Sequence, residues 1–193
     1  MGRPGLTFSP DMRELLRLFE VHQVRYALVG GFAVNFYGYV RATQDVDLLV
    51  APTSENAVRV MKALADFGFA AAGIPEDCFA RPGTAVHLGT EPNRIDLLTS
   101  LTGVSADEVV AEFRRARIGD LEVNVVSFDH LIAAKRSSDR PRDQADADEL
   151  LIFGARFHAC GNVEVGVNQR LLGLVAGLDH LVHDAHDALA NVL

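Results

Sequence analysis

The feature that most constrains this chain is the run Asp45-Val46-Asp47-Leu48-Leu49-Val50. Its apolar, β-branched composition reads as a strand, closed by Ala51-Pro52. On a strand, residues two apart point to the same face, so Asp45 and Asp47 converge while Val46, Leu48 and Val50 face the other side. Two carboxylates side by side repel each other unless a cation neutralises them, and aspartate oxygens at this spacing suit Mg²⁺. A third aspartate, Asp96, lies inside the apolar run Arg94-Ile95-Asp96-Leu97-Leu98, where an unpaired carboxylate is expensive to bury. It pairs with Arg94 or binds metal. If the two strands are neighbours, the three carboxylates can hold two divalent ions, as two-metal phosphoryl or nucleotidyl transfer requires.

Upstream, Leu28-Val29-Gly30-Gly31 ends one predicted strand (Arg25 to Val29) and precedes a predicted helix (Phe32 to Tyr39). Glycines at such a junction let backbone N–H groups approach a phosphate closely. The periodicity also predicts a first amphipathic helix over Pro10 to His22 and a helix to about Phe67 with Ser54 as its N-cap. Two strands, Thr84 to Leu88 and Arg94 to Thr99, are joined by a turn around Glu91-Pro92-Asn93. A helix over Ala106 to Ala116, capped by Ser105, precedes a strand over Leu121 to Ser127. Helices near Asp129 to Arg136 and Asp143 to Phe153, a break at Gly154 to Gly161, and a last amphipathic helix over Asn168 to Leu193 complete the chain. Helices alternating with short strands predict an α/β (α+β) fold. It would comprise a small mixed sheet flanked by helices in residues 1–127 and a helical region in residues 128–193.

Composition narrows the functional classes. About half of the 193 residues are hydrophobic and under a quarter are charged, so a sizeable core can form. No apolar run reaches the length of a membrane span, and Met1 to Pro10 lacks the pattern of a secretory signal. Cys78 and Cys160 are far apart with no close partner, which argues against a disulfide framework and a structural zinc site and makes a reducing cytoplasm the default. The formal charge of −8 argues against non-specific coating of nucleic acid, although a local basic patch can still hold a polynucleotide. GxSxG, HExxH and Walker A patterns are absent.

An apolar residue, Gly-Gly, a short helix, Asp-x-Asp between apolar residues and a later strand aspartate resemble the DNA polymerase β-like nucleotidyltransferase superfamily. The resemblance implies the nucleotidyltransferase fold and a two-Mg²⁺ enzyme, with Mn²⁺ as an alternative metal. It also implies triphosphate contacts from Gly30 and Gly31 and metal ligation by Asp45, Asp47 and Asp96. The stretch Arg41-Ala42-Thr43-Gln44-Asp45-Val46-Asp47-Leu48 is similar to the AbiEii-like branch, which includes toxins of bacterial toxin–antitoxin pairs. So are Leu131-Ile132-Ala133-Ala134-Lys135 and the following Arg140-Pro141-Arg142-Asp143-Gln144-Ala145-Asp146. This branch implies a nucleotide or phosphate contact for Lys135, supported by Asp143, with Arg140 in the same nucleotide-binding set. It further implies an NTP substrate, a tRNA 3′ end or a protein as acceptor, and an antitoxin as partner.

The remaining features are less directive. Lys135 is one of two lysines (with Lys62) among 18 basic residues, so a point-like cation is retained where arginine is otherwise used. Asp143 and Asp146 also suit the N-terminus of the helix they open. Arg114, Arg115, Arg117, Lys135, Arg136, Arg140 and Arg142 are either a polynucleotide-facing patch or ordinary solvated faces. His180, His183 and His186 drift around a helix and do not share one ion. Leu171, Leu174, Leu178, Leu181, Ala185, Leu189 and Val192 form a stripe suited to packing on the domain or on a second copy, as in a homodimer. The competing functions are nucleotidylation of a small molecule such as an aminoglycoside, and a non-catalytic nucleotide-binding or partner module.

Overall fold

A computed structural model describes residues 7–91 and 93–159. The expected helix over Asn168 to Leu193, its apolar stripe and histidines, and Cys160 lie outside the described residues. In chain order the elements are α1 (Pro10–Val21), β1 (Tyr26–Val29), α2 (Gly30–Phe36), β2 (Val46–Val50), α3 (Ser54–Leu64), β3 (Ala85–Leu88), β4 (Ile95–Leu98), α4 (Ala106–Ala111), β5 (Arg114–Ile118), β6 (Leu121–Val125), α5 (Phe128–Arg136) and α6 (Pro141–Ala159). A short π-helical turn, Ala65–Phe69, extends α3. The strands form one six-stranded mixed sheet in the order β3-β4-β2-β1-β6-β5.

The sheet's centre is dry on both faces. Every residue of β1 is buried, and in β2 only Asp47 is partly exposed. That pattern matches the near-continuous apolar runs in the sequence and requires helices on both sides. α1 turns Met12, Leu15, Leu16 and Phe19 inward, the spacing that made it legible as an amphipathic helix. β1 pairs antiparallel with β2, placing Val29 opposite Asp47. β2 pairs parallel with β4, placing Asp47 beside Asp96.

One buried polar side chain ties α3 to the sheet. Asn56 accepts a hydrogen bond from Arg25 N–H (2.7 Å) and donates to the Arg25 and Ala51 carbonyls (3.0 Å each). Asn56→Ala removes three hydrogen bonds, one of them fully buried, and orphans the Arg25 N–H. The expected loss is about 2–3 kcal/mol in urea-induced unfolding; a change under about 0.5 kcal/mol would contradict this role.

The structure corrects four local expectations. The helix expected over Ala106 to Ala116 stops at Ala111, and Arg114–Ile118 forms β5, paired antiparallel with β6 from Arg114↔Val125 to Ile118↔Leu121. Gly119 has φ +65° in the turn, and Asp120 is held there by Arg13 (2.6 Å) and Arg17 (2.8 Å). Hairpin pairing overrides the intrinsic helical preference of Arg and Ala. Ser54 is not the N-cap of α3: Thr53 is, accepting from Asn56 N–H at 3.2 Å. α2 begins at Gly30 itself, so the glycine pair forms its first turn rather than a break before it. The break expected at Gly154 is also absent, because α6 continues to Ala159. No helix among the described residues is long and apolar enough to cross a membrane.

Candidate active site

The end of β1, the entry to β2, β4, the turn after β4 and the α5–α6 junction enclose a cleft of roughly 440 Å³. Gly30, Gly31, Asp45, Asp47, Asp96, Lys135, Arg140 and Asp143, all singled out from the sequence, line it together. Of the seven-residue basic cluster, Lys135, Arg140 and Arg142 border the cleft. Arg114, Arg115 and Arg117 instead lie on β5, the opposite edge strand of the sheet from β3.

Pairing puts the acids together. Asp47 and Asp96 are partners on adjacent parallel strands, whose backbones run about 4.8 Å apart. Asp45, just before β2, shares the face of Asp47. The glycine pair fits closely against them. Gly30 has φ +61°, and a Cβ there would lie 1.9 Å from Asp47 Oδ2. A Cβ on Gly31 would lie 2.4 Å from Thr43 Oγ1. The bare backbone at this turn is therefore a steric requirement as well as a conformational one.

The electrostatics are strained. Burial, reinforced by Asp96 and Asp45, pushes the Asp47 carboxyl up to about 6, although Lys135 and the Gly31 N–H oppose the shift. Arg94 is the cation among the acids. Its Nη2 donates to Asp45 Oδ2 (2.7 Å), and its Nε donates to Asp96 Oδ1 (2.9 Å). The sequence had offered Arg94 pairing and metal binding as alternatives for Asp96, and the pairing is present. His87, opposite Asp96 on β3, meets Asp96 Oδ1 through Nδ1 at 2.8 Å. The other oxygen of Asp45, Oδ1, is buried and has no hydrogen-bond partner among the described residues.

Across the cleft, Lys135 is buried and its Nζ contacts both Asp143 and Asp146, the latter at 2.9 Å. Asp143 also accepts from Ser138 Oγ (2.7 Å). Burial pushes its carboxyl up, but the hydrogen bonds from Lys135 and Ser138 outweigh that and leave it below the usual carboxylate range. Asp146 is almost fully buried and chelates Arg41 bidentately. Asp143 and Asp146 thus do more than favour a helix N-terminus. Sequence reasoning assigned no site role to Arg41, Asp146 or His87. For Arg41 and Asp146 the one available signal was their presence in the quoted motifs.

The acid set fits a divalent cation in its chemistry. Its donors are hard oxygens, Asp45 Oδ1 is orphaned, and Asp47 is pushed towards protonation by burial and by the neighbouring Asp96 and Asp45. Among the described residues no three such side chains are arranged to hold a metal ion as they stand, with the Arg94 guanidinium bridging Asp45 and Asp96.

Comparison with known families then adds a finding. The family described as "Nucleotidyl transferase of unknown function (DUF2204)" matches residues 8–169. No curated protein sequence matches the chain. Among solved structures, a Thermotoga maritima protein described as a nucleotidyltransferase is similar at TM-score 0.51 and 11% identity, covering 75% of this chain and 95% of that one. The lincomycin-bound lincosamide antibiotic adenylyltransferase LnuA gives TM-score 0.44 at 16% identity, covering 75% and 98%. The antibiotic-resistance factor ANT(2'')-Ia gives 0.43 at 15%, covering 90% and 96%. At these identities the likeness concerns the fold alone.

Proposed function

The chain belongs to the DUF2204 family of nucleotidyl transferases, and on that premise we propose that it moves a nucleoside monophosphate from an NTP to an acceptor hydroxyl in the cleft described above. The acceptor oxygen forms a bond to the α-phosphorus, the bond from that phosphorus to the bridging oxygen of the β-phosphate breaks, and pyrophosphate leaves. Asp45, Asp47 and Asp96 would hold two Mg²⁺ ions. When bound, these supply charge neutralisation for the attacking and leaving oxygens.

The chain's own groups do the rest. Asp96 accepts the proton of the incoming hydroxyl. The bare backbone at Gly30 and Gly31 lets the triphosphate lie against the first turn of α2. Lys135, with Arg140 and Asp143 beside it, offsets charge developing on the departing phosphates. The observation that carries the reading is the register Asp47↔Asp96, together with the orphaned oxygen of Asp45, whose residue lines the same cleft as the glycine turn.

The acceptor class comes from the sequence motifs. The AbiEii-like form of Arg41–Leu48, Leu131–Lys135 and Arg140–Asp146 favours a tRNA 3′ end or a protein, with the enzyme acting as a toxin restrained by an antitoxin. Small-molecule nucleotidylation is the alternative. The test incubates the protein and Mg²⁺ with each labelled NTP against total tRNA, lysate protein and aminoglycosides. Label is expected in one acceptor pool with stoichiometric pyrophosphate, and Asp45→Ala is expected to remove it. Full transfer by Asp45→Ala, or no transfer to any pool by the wild type, would overturn the proposal.

A further inference from the structure

Arg41 lies outside the strands and helices, yet it is held at every end. Its backbone N–H donates to Asn35 Oδ1 and its carbonyl accepts from Asn35 Nδ2, both at 2.9 Å. Its guanidinium donates through Nε to Asp146 Oδ1 (2.7 Å) and through Nη2 to Asp146 Oδ2 (2.8 Å). A bidentate fork onto a carboxylate fixes the plane of an arginine as no single contact does. The Asp146 side chain is only 2% exposed, and its second cation is Lys135.

That orientation is aimed. Arg41 Nη1 donates to the Ala42 carbonyl at 3.2 Å and lies 3.3 Å from where a Cβ on Gly31 would stand. The edge of the guanidinium not used on Asp146 therefore lies beside the Thr43 side chain against the glycine turn, in the lining of the cleft. A guanidinium has five N–H groups, and these contacts use three. Structural ion pairing explains the fork onto Asp146. It does not explain why the opposite edge is kept beside the glycine turn in the lining of the cleft.

We propose that Arg41 contacts a phosphate of the bound nucleoside triphosphate seated against Gly31, and that Asp146 is a positioning residue fixing both Arg41 and Lys135 for it. The inference rests on the nucleotidyl-transfer reading of the same cleft. One carboxylate thereby sets the direction of two cations that reach the cleft from separate parts of the chain.

The test measures equilibrium binding of ATP, GTP, CTP, UTP and tripolyphosphate, each with Mg²⁺, to the full chain and its variants. Arg41→Gln is expected to weaken the preferred NTP and tripolyphosphate alike, by about ten- to hundredfold, the scale of a lost charge-assisted contact. Arg41→Lys should recover only part, because it restores charge without the fork. Asp146→Asn should weaken NTP binding, and the double variant Arg41→Gln/Asp146→Asn should bind no worse than the weaker single variant. Arg41→Gln binding within twofold of wild type would overturn the inference, as would a loss seen with an NTP but not with tripolyphosphate. Wild-type protein that binds no NTP would instead sink the nucleotidyl-transfer reading beneath it. A lowered melting temperature in Asp146→Asn with unchanged affinity would reduce Asp146 to a structural ion pair and refute its positioning role. If Asp146→Asn does not fold, the Arg41 variants decide the matter alone.

Discussion

Asp47→Asn is expected to abolish nucleotidyl transfer while making the metal-free protein more stable. The two effects share a cause. Asp47 sits among Asp45, Asp96 and the apolar core of β2, and burial with its acidic neighbours raises its carboxyl to about 6. The folded chain thus retains a proton that the unfolded chain, with an ordinary carboxyl near 3.8, has released. The metal-free wild type therefore loses stability as pH rises from about 4 to about 6, and the full penalty, about 3 kcal/mol for a shift of roughly two units, stands at pH 7. Asparagine carries no such penalty. The variant should exceed wild type by up to about 3 kcal/mol at pH 7 in urea-induced unfolding, with the gain vanishing near pH 4. Transfer should fall by about three orders of magnitude or more, equivalent to several kcal/mol of lost charge stabilisation. Added Mg²⁺ should stabilise wild type by mass action and leave the variant little changed. A variant less stable than wild type at pH 7, or a gain independent of pH, would contradict this account.

Lys135→Ala carries the next largest effect and the opposite sign in stability. The ammonium is buried between Asp143 and Asp146 and lowers the carboxyl of Asp47. Removing one member of a buried charge cluster leaves its partners desolvated and unpaired. Asp146 keeps Arg41 and Asp143 keeps the Ser138 hydroxyl, so the expected loss is about 3 kcal/mol, at the lower end for a broken buried pair. Transfer is expected to fall about a hundredfold or more, since Asp47 is driven further towards its protonated form and the cation proposed to offset charge on the phosphates is gone. Lys135→Arg should not restore stability, because a planar fork does not fit where a compact ammonium meets two carboxylates. Unfolding curves and initial transfer rates check both parts. A stability loss under about 1 kcal/mol would mean that the ammonium is not desolvated.

The sequence by itself determined which side chains share a face within a single strand or helix. Asp45 and Asp47 share a face because a strand repeats every two residues, whatever it pairs with. Gly30 and Gly31 mark the turn beside them, and the amphipathic spacing of α1 marks the face it buries. Groups brought together from distant parts of the chain were decided only by the tertiary structure. The parallel register of β2 and β4 sets Asp96 beside Asp47, and that register also lets Arg94 reach across to Asp45. The hairpin with β6 drew Arg114–Ala116, an apparent helix end, into the strand β5. Packing of α6 brought Asp146 to Arg41, 105 residues earlier in the chain. Local spacing fixes direction, because backbone geometry is the same in every protein. It does not fix which distant carboxylate a given cation meets, because that depends on how strands and helices close over the core.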